Sequence, residues 1–459
     1  MRKLEVDLTS GAIFKKIVAF AVPLIFTNLL QILFNMCDVL VLGVFVSDSA
    51  VAAVGGTSSL INLIVGLFVG LSVGANVMVS AYLGKKDEER VKRTVGTSVL
   101  ISLIIGTGLI FVGVFGAKTF LTWMHCDENV IDMSVTYLKI YFIGMPVMML
   151  YNFCAAILRA AGETVKPLIY LTIGGVVNII LNVFFVIVLK KDVEGVAIAT
   201  VVSQTISAFC CIALLLKSKG ILQFRFKYLK IYGEQLWEMI KIGVPSGLQG
   251  CLFSISNVVV QSSVNTFGEV VMAGNSYSQQ VESIVYQSMN GVSLAALSFV
   301  GQNYGAGKFD RIKKTVLECA LLVTGVGVVL GGIAVLLAKP IFGFITKDAL
   351  VVEVASKRLT IIASTYALCG IMEVYSFALR GFGKSTSSML INLFCTCVFR
   401  LVWIKIMLGI IDEVYMIYWA YPISWLLAAA GMIIYYEIVL RKLIKRKKAE
   451  EVVTEANEP

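Results

Sequence analysis

Asp38 is the residue whose chemistry most needs an explanation. It lies in Asn35-Met-Cys-Asp38-Val-Leu-Val-Leu, near the middle of an apolar run, where a charge costs roughly 3 kcal/mol to insert and more if it faces lipid. A carboxylate at that depth can hold a proton or a cation and exchange one for the other, which is how an ion gradient can drive movement of a second solute. A carboxyl hydrogen-bonded between helices is the plainer alternative. Two later apolar runs supply neutral oxygens, Asn178 and Asn182 one helical turn apart and Thr200 beyond them. These groups suit a cation, and they equally suit helix-to-helix hydrogen bonding. Convergence on Asp38 is what separates the two readings.

A second polar feature runs through residues 270–300. Asn275, Gln279, Glu282, Tyr286, Asn290 and Ser293 recur at spacings of 4, 3, 4, 4 and 3, one face of a helix. This stripe is expected to line a cavity, with Glu282 a second candidate for binding a proton or a cationic substrate and Glu373 a third. Packing against another polar helix is the alternative. Met36, Met145, Met148, Met149, Tyr141 and Tyr151 group around the first and fourth apolar runs. Thioethers and aromatic faces suit a pocket for varied apolar cations, and they also make ordinary packing.

Other chemistries find little support. His125, beside Cys126, is the single histidine, so no second ligand stands at metal-site spacing and no base is available for a Ser-His pair. The run Gly381-Phe-Gly-Lys-Ser-Thr386 partly matches a phosphate loop, but Ala378 replaces the first glycine and the run follows a helix instead of a strand. No enzyme, cofactor or metal site is expected beyond Na⁺ at Asp38, and the energy for any transport comes from an H⁺ or Na⁺ gradient.

The elements that must carry these residues are transmembrane helices. Of the 459 residues, 58% are hydrophobic and 15% charged, with a mean hydropathy of +0.87, whereas soluble domains are about a quarter charged. Runs of about 20 apolar residues, the length that crosses a bilayer, follow one another along the chain. Twelve spans are predicted, over 17–46, 55–82, 94–116, 134–158, 167–189, 193–216, 242–266, 270–300, 315–338, 358–379, 386–409 and 415–440. Of the 39 Lys and Arg, 29 fall on the side that holds both termini and eight on the other, while Arg400 and Lys405 lie in or beside the eleventh span. The bias places both termini in the cytoplasm.

Charge and cysteine usage agree with that placement. The net charge of +10 sits in loops flanking the spans and in the tail Arg441–Lys448, which points to anionic lipid headgroups and not to nucleic acid. Nine of ten cysteines fall within spans, so they belong to the core and not to a disulfide framework. The first apolar run is too long for a signal peptide and lacks a cleavage site, so it is expected to remain as the first helix. A bacterial inner membrane is the expected location.

The chain also repeats itself. Gly84 and Arg90 match Gly305 and Arg311 at an offset of 221, as do Leu158-Arg159 with Leu379-Arg380, Gly162 with Gly383, and Ser203 with Ser424. Pro23 pairs with Pro245 at 222. A six-span unit repeated with the same orientation implies an all-α membrane protein whose two parallel six-helix bundles are related by a pseudo-twofold axis along the membrane normal. The expected domains are 1–216, a cytoplasmic linker 217–241, a second bundle 242–440, and a basic then acidic tail 441–459. Pro23 and Pro245 are candidate kinks. Gly66, Gly70 and Gly74 are spaced to let another helix approach closely.

Twelve such spans, Pro23 and Asp38 in the first, and the loops Leu158-Arg159-Ala-Ala-Gly162-Glu-Thr and Gly301-Gln302-Asn-Tyr-Gly305-Ala-Gly307 resemble the multidrug and toxic compound extrusion (MATE) family over roughly residues 10 to 440. The resemblance implies cation-coupled antiport and export of organic cations from a central cleft. It further implies a cation site in the first half, which maps onto Asp38, Asn178, Asn182 and Thr200. Position 182 carries Asn where the family has Asp, leaving one carboxylate; an amide can coordinate Na⁺ but cannot exchange a proton. The expected partners are a cationic amphiphilic small molecule and membrane lipids, with the chain a monomer. A flippase for a lipid-linked sugar is the alternative, hinted at by Arg400 and Lys405, for which snorkelling to the membrane surface is the simpler expectation.

Overall fold

The structure, a computed structural model, describes residues 5–124 and 126–456, so His125 lies outside the described residues. Among the described residues every regular element is helical. The first half holds α1 (Ile13–Phe45), α2 (Asp48–Lys85), α3 (Glu88–Trp123), α4 (Ile131–Ile143), α5 (Met145–Ala160), α6 (Val165–Val183) and α7 (Val193–Lys217). The second holds α8 (Gly233–Asn265), α9 (Glu269–Gly305), α10 (Phe309–Leu336), α11 (Ala338–Ile345), α12 (Ala349–Ala363), α13 (Tyr366–Gly381), α14 (Ser385–Asn392), α15 (Phe399–Ile410) and α16 (Val414–Ala456). Short π-helical segments, Phe184–Val188 and Leu393–Val398, continue α6 and join α14 to α15.

This is a multi-pass α-helical membrane protein. Among the described residues, nine helical segments are each long and apolar enough to cross a bilayer, and two bent pairs, α4 with α5 and α12 with α13, are long and apolar enough when each pair is taken together. The remaining long helix, α9, has 37 residues, enough for about 55 Å at 1.5 Å per residue. It carries the polar stripe, which depresses its hydropathy, and it completes the twelve.

Two of the predicted spans are broken where the sequence reading had continuous helices. The α4–α5 pair bends by 51° at Gly144 and the α12–α13 pair by 46° at Ser364 and Thr365. Positions 144 and 365 are separated by the repeat offset of 221, yet the chemistry differs. Pro146 removes a backbone donor just after the first break. At the second, the hydroxyls of Ser364 and Thr365 both donate to the carbonyl of Ile361 and compete with the helix ladder. The duplicated turns are likewise matched, with Lys86 and Gly307 at φ 59° and 67°, and Gly162 and Gly383 at 84° and 74°.

The chain forms two compact units. Unit 1 comprises the residues up to Asp7 with Phe26–Gly250, and unit 2 comprises Leu8–Ile25 with the chain from Cys251 onward. Helix α1 is thus divided just after Pro23 and α8 shortly after Pro245, each proline lying inside its helix. In unit 1 the core gathers Leu42, Leu109, Leu138, Phe142, Met145 and Met149. In unit 2 it gathers Leu8, Ile17, Phe20, Phe299, Met432 and Tyr436.

Small residues do bring helices together in unit 1. A Cβ on Gly70 would lie 2.3 Å from the Cα of Gly247, and one on Gly74 2.5 Å from the carbonyl of Met239, so α2 meets the first half of α8 backbone to backbone. Gly66 meets nothing within 4 Å and takes no part in that contact.

Candidate functional site

Helices α1, α6 and α7 bring the four predicted cation ligands together inside unit 1. Asn178 and Asn182 are one turn apart on α6, and both are buried with Asp38. The Nδ2 of Asn182 donates to Asp38 Oδ1 at 2.6 Å and to Asn178 Oδ1 at 3.2 Å. Thr200 Oγ1 lies 3.3 Å from Asp38 Oδ2, with the carbonyl of Val196 a second acceptor at 3.0 Å, and it accepts from Asn178 Nδ2 at 3.4 Å. The four side chains close a ring around a single carboxylate.

The ring has capacity left over. Asn182 Oδ1 is buried with no hydrogen-bond partner, an arrangement costly enough to call for a donor or a cation beside it. A cavity of about 40 Å³ adjoins Asp38, lined by Asn35, Gly174, Ser203, Gln204 and Ser207 among others, with room for a water or a small, partly hydrated cation. Two carboxylate oxygens, two amide oxygens and a hydroxyl are hard donors suited to Na⁺. One negative charge balances one monovalent cation or one proton. Among the described residues no cluster of three His, Cys, Asp or Glu could hold a metal ion.

The sequence reading missed the cavity lining, although its signal was present. Gly174, Asn178 and Asn182 fall at intervals of four on α6, and Thr200, Ser203, Gln204 and Ser207 share a face of α7. Immediately after Asn182 the helix widens into its π segment, an irregularity frequent at functional sites.

In unit 2 the polar stripe of α9 is only partly open. Asn275, Glu282 and Ser293 are buried, Tyr286 and Asn290 half-buried, and Gln279 exposed. Glu282 is held by Arg358 of α12 at 2.9 Å and by the hydroxyl of Ser278 at 2.6 Å. Arg358, 1% exposed, also lies over the rings of Tyr418 and Tyr421. This partner was not foreseen, because position 358 marked the edge of a predicted span. Gln279 and Asn275 both donate to Gln261 of α8. Glu373 is buried on α13, within electrostatic reach of Arg380 and Tyr286.

The expectation that Arg400 snorkels is corrected by the structure. It is buried, donates to Ser424 Oγ at 2.9 Å and sits 4.3 Å from the Tyr421 ring centroid, so aromatic faces and a hydroxyl inside unit 2 replace water around it. Lys405 is exposed. The methionine cluster resolves in part as core, since Met145, Met148 and Met149 are buried in unit 1, whereas Met36 is half exposed and Tyr141 half-buried.

With that geometry in hand, relatives are informative. The sequence model of the MatE family matches residues 23–184 and, again, 245–406. The chain belongs to the MatE family. The two matches are offset by 222 residues, so the family unit itself covers each copy of the repeat. Among curated members, the chain is 28% identical to the probable multidrug resistance protein YoeA of Bacillus subtilis, over 83% of this chain and 84% of that one. It is 22% identical to the multidrug export protein MepA of Staphylococcus aureus, over 81% and 82% respectively.

Solved MATE structures show the same fold. An outward-facing multidrug resistance MATE transporter of the MOP superfamily superposes with a TM-score of 0.90 at 20% identity, covering 96% of this chain and 99% of the other. A MOP superfamily transporter from Pyrococcus furiosus gives the same values.

Proposed function

We propose that this MATE-family protein is a secondary antiporter that exports cationic amphiphilic drugs or related metabolites in exchange for H⁺ or Na⁺, by alternating access across a bacterial inner membrane. The observation that carries the proposal is the closure of Asp38, Asn178, Asn182 and Thr200 into one buried ring with an orphaned acceptor and a polar cavity beside it. Relatives named as multidrug resistance and export proteins support the substrate class. Ion occupancy at Asp38 favours one conformation of unit 1 over another, and that differential affinity is what couples the gradient to export.

Substrate contacts are assigned to groups left open by the packing, Met36 and Tyr141 in unit 1 and Gln279 and Tyr286 in unit 2. Glu373, buried but without an ion pair at bonding distance among the described residues, is the reserve carboxylate for a cationic substrate. Both termini are assigned to the cytoplasm from the distribution of basic residues. The flippase alternative would call on uncommitted intramembrane cations, and Arg358 and Arg400 are both engaged by internal partners. Energy-dependent ethidium efflux from cells lacking their own pumps tests the reading; a well-folded protein that extrudes nothing would contradict it.

A further inference from the structure

The two loops that mark the repeat have no role in the ion site, and their arginines do something specific. In unit 2, Arg311 donates to three carbonyl groups of the segment that leads into α1: Leu8 at 3.2 Å, Ser10 at 2.6 Å and Gly11 at 2.8 Å. Lys308 donates to Thr9 O at 2.8 Å, and the amide of Leu8 donates to Gln302 Oε1 at 3.0 Å. The side chain of Leu8 is 1% exposed within the core of unit 2. A turn that lies outside any helix, with Gly11 at φ 69°, thereby has its carbonyl groups satisfied by side chains of unit 2.

In unit 1 the arginine at the matching repeat position also reaches the start of the divided helix, α8, but through a side-chain ion pair instead of backbone carbonyls. Arg90 pairs with Glu234 in the first turn of α8 at 3.4 Å, and Tyr82 donates to Glu238 at 2.9 Å. Thr97 donates to the carbonyl of Lys230 and accepts from the amide of Tyr232, in the lead-in. The two helices fastened in this way, α1 and α8, are those divided between the units.

We propose that Arg311 and Arg90 are paired anchors that tie the starts of the two exchanged helices, so that a change at Asp38, farther along α1, is passed through a helix whose other end cannot slip. Arg311, which takes no part in lining the Asp38 cavity, is then a positioning residue for coupled transport. The turnover arm of this inference rests on the antiporter reading; the anchoring arm does not.

The experiment uses the full-length protein in proteoliposomes, with Arg311→Ala and Arg311→Lys compared against wild type in three measurements: amide exchange over residues 8–11, ethidium affinity, and ion-driven ethidium turnover per folded molecule. In Arg311→Ala the segment loses all three charge-assisted bonds and is expected to exchange at least about 100-fold faster. Ethidium affinity should stay within about two-fold, and turnover should fall about ten-fold because the moving helix has lost its fixed end. Arg311→Lys, with the charge but not the fork, should fall between. Unchanged turnover with residues 8–11 exchanging freely would overturn the proposal, and so would a segment that stays protected. Should Arg311→Ala not fold, Arg90→Ala poses the same question at Glu234 and the first turn of α8. A wild type without ion-driven turnover would instead refute the antiporter reading, leaving the exchange measurement to judge the anchor.

Discussion

Breaking the Glu282–Arg358 pair separates the structural carboxylate of unit 2 from Asp38, the carboxylate proposed to couple transport in unit 1. The pair is buried and closed at 2.9 Å, and Arg358 lies over the rings of Tyr418 and Tyr421 with Nε and Nη1 lacking acceptors. Replacing Arg358 by Met leaves Glu282 with Ser278 as its remaining side-chain hydrogen-bond donor, and removing one partner of such a pair costs about 3–5 kcal/mol. Glu282→Gln should cost less, because two aromatic faces still receive the guanidinium. The double variant Glu282→Gln/Arg358→Met removes both charges and should recover most of the loss.

Thermal unfolding of the purified protein in detergent, for wild type, both single variants and the double, measures the coupling directly. The double variant should also retain ion-driven efflux, since neither residue belongs to the ion site. A double variant as unstable as Arg358→Met would refute the pairing argument. Stable protein that had lost ion coupling would move the coupling site to Glu282.

Two further substitutions address packing and ligation. Gly70→Ala should destabilise by at least about 1–3 kcal/mol, because its Cβ would meet backbone atoms of α8, while Gly66→Ala, in open space, should fall within about 0.5 kcal/mol of wild type in the same unfolding assay. Thr200→Val removes a ring oxygen at nearly constant volume and should raise the ion concentration needed for half-maximal efflux by about five- to ten-fold, the equivalent of one hydrogen bond, whereas Thr200→Ser should stay near wild type.

Most of the architecture was legible because membrane helices announce themselves through length and hydropathy, and the repeat through a constant offset. Asp38, Asn178, Asn182 and Thr200 were legible as types, and their convergence across three helices was implied by family resemblance alone. The breaks at Gly144 and Thr365 were hidden, since Pro146 in one copy and hydroxyls in the other do the same work. Arg358 was hidden because its partner lies 76 residues away, a separation no helical period encodes. The stripe on α9 gave its face correctly but not its occupancy, because burial depends on which neighbour carries the complementary charge. Division of α1 and α8 between units had no sequence signal beyond the two prolines.

The central claim is that Asp38 couples an ion gradient to export. Ethidium efflux at matched expression, for wild type and Asp38→Asn under separate H⁺ and Na⁺ gradients, tests it most directly. The account predicts efflux by wild type sustained by one of the gradients and abolished in the variant, whose amide keeps the shape of the ring but carries no charge. Undiminished gradient-driven efflux by Asp38→Asn would contradict it.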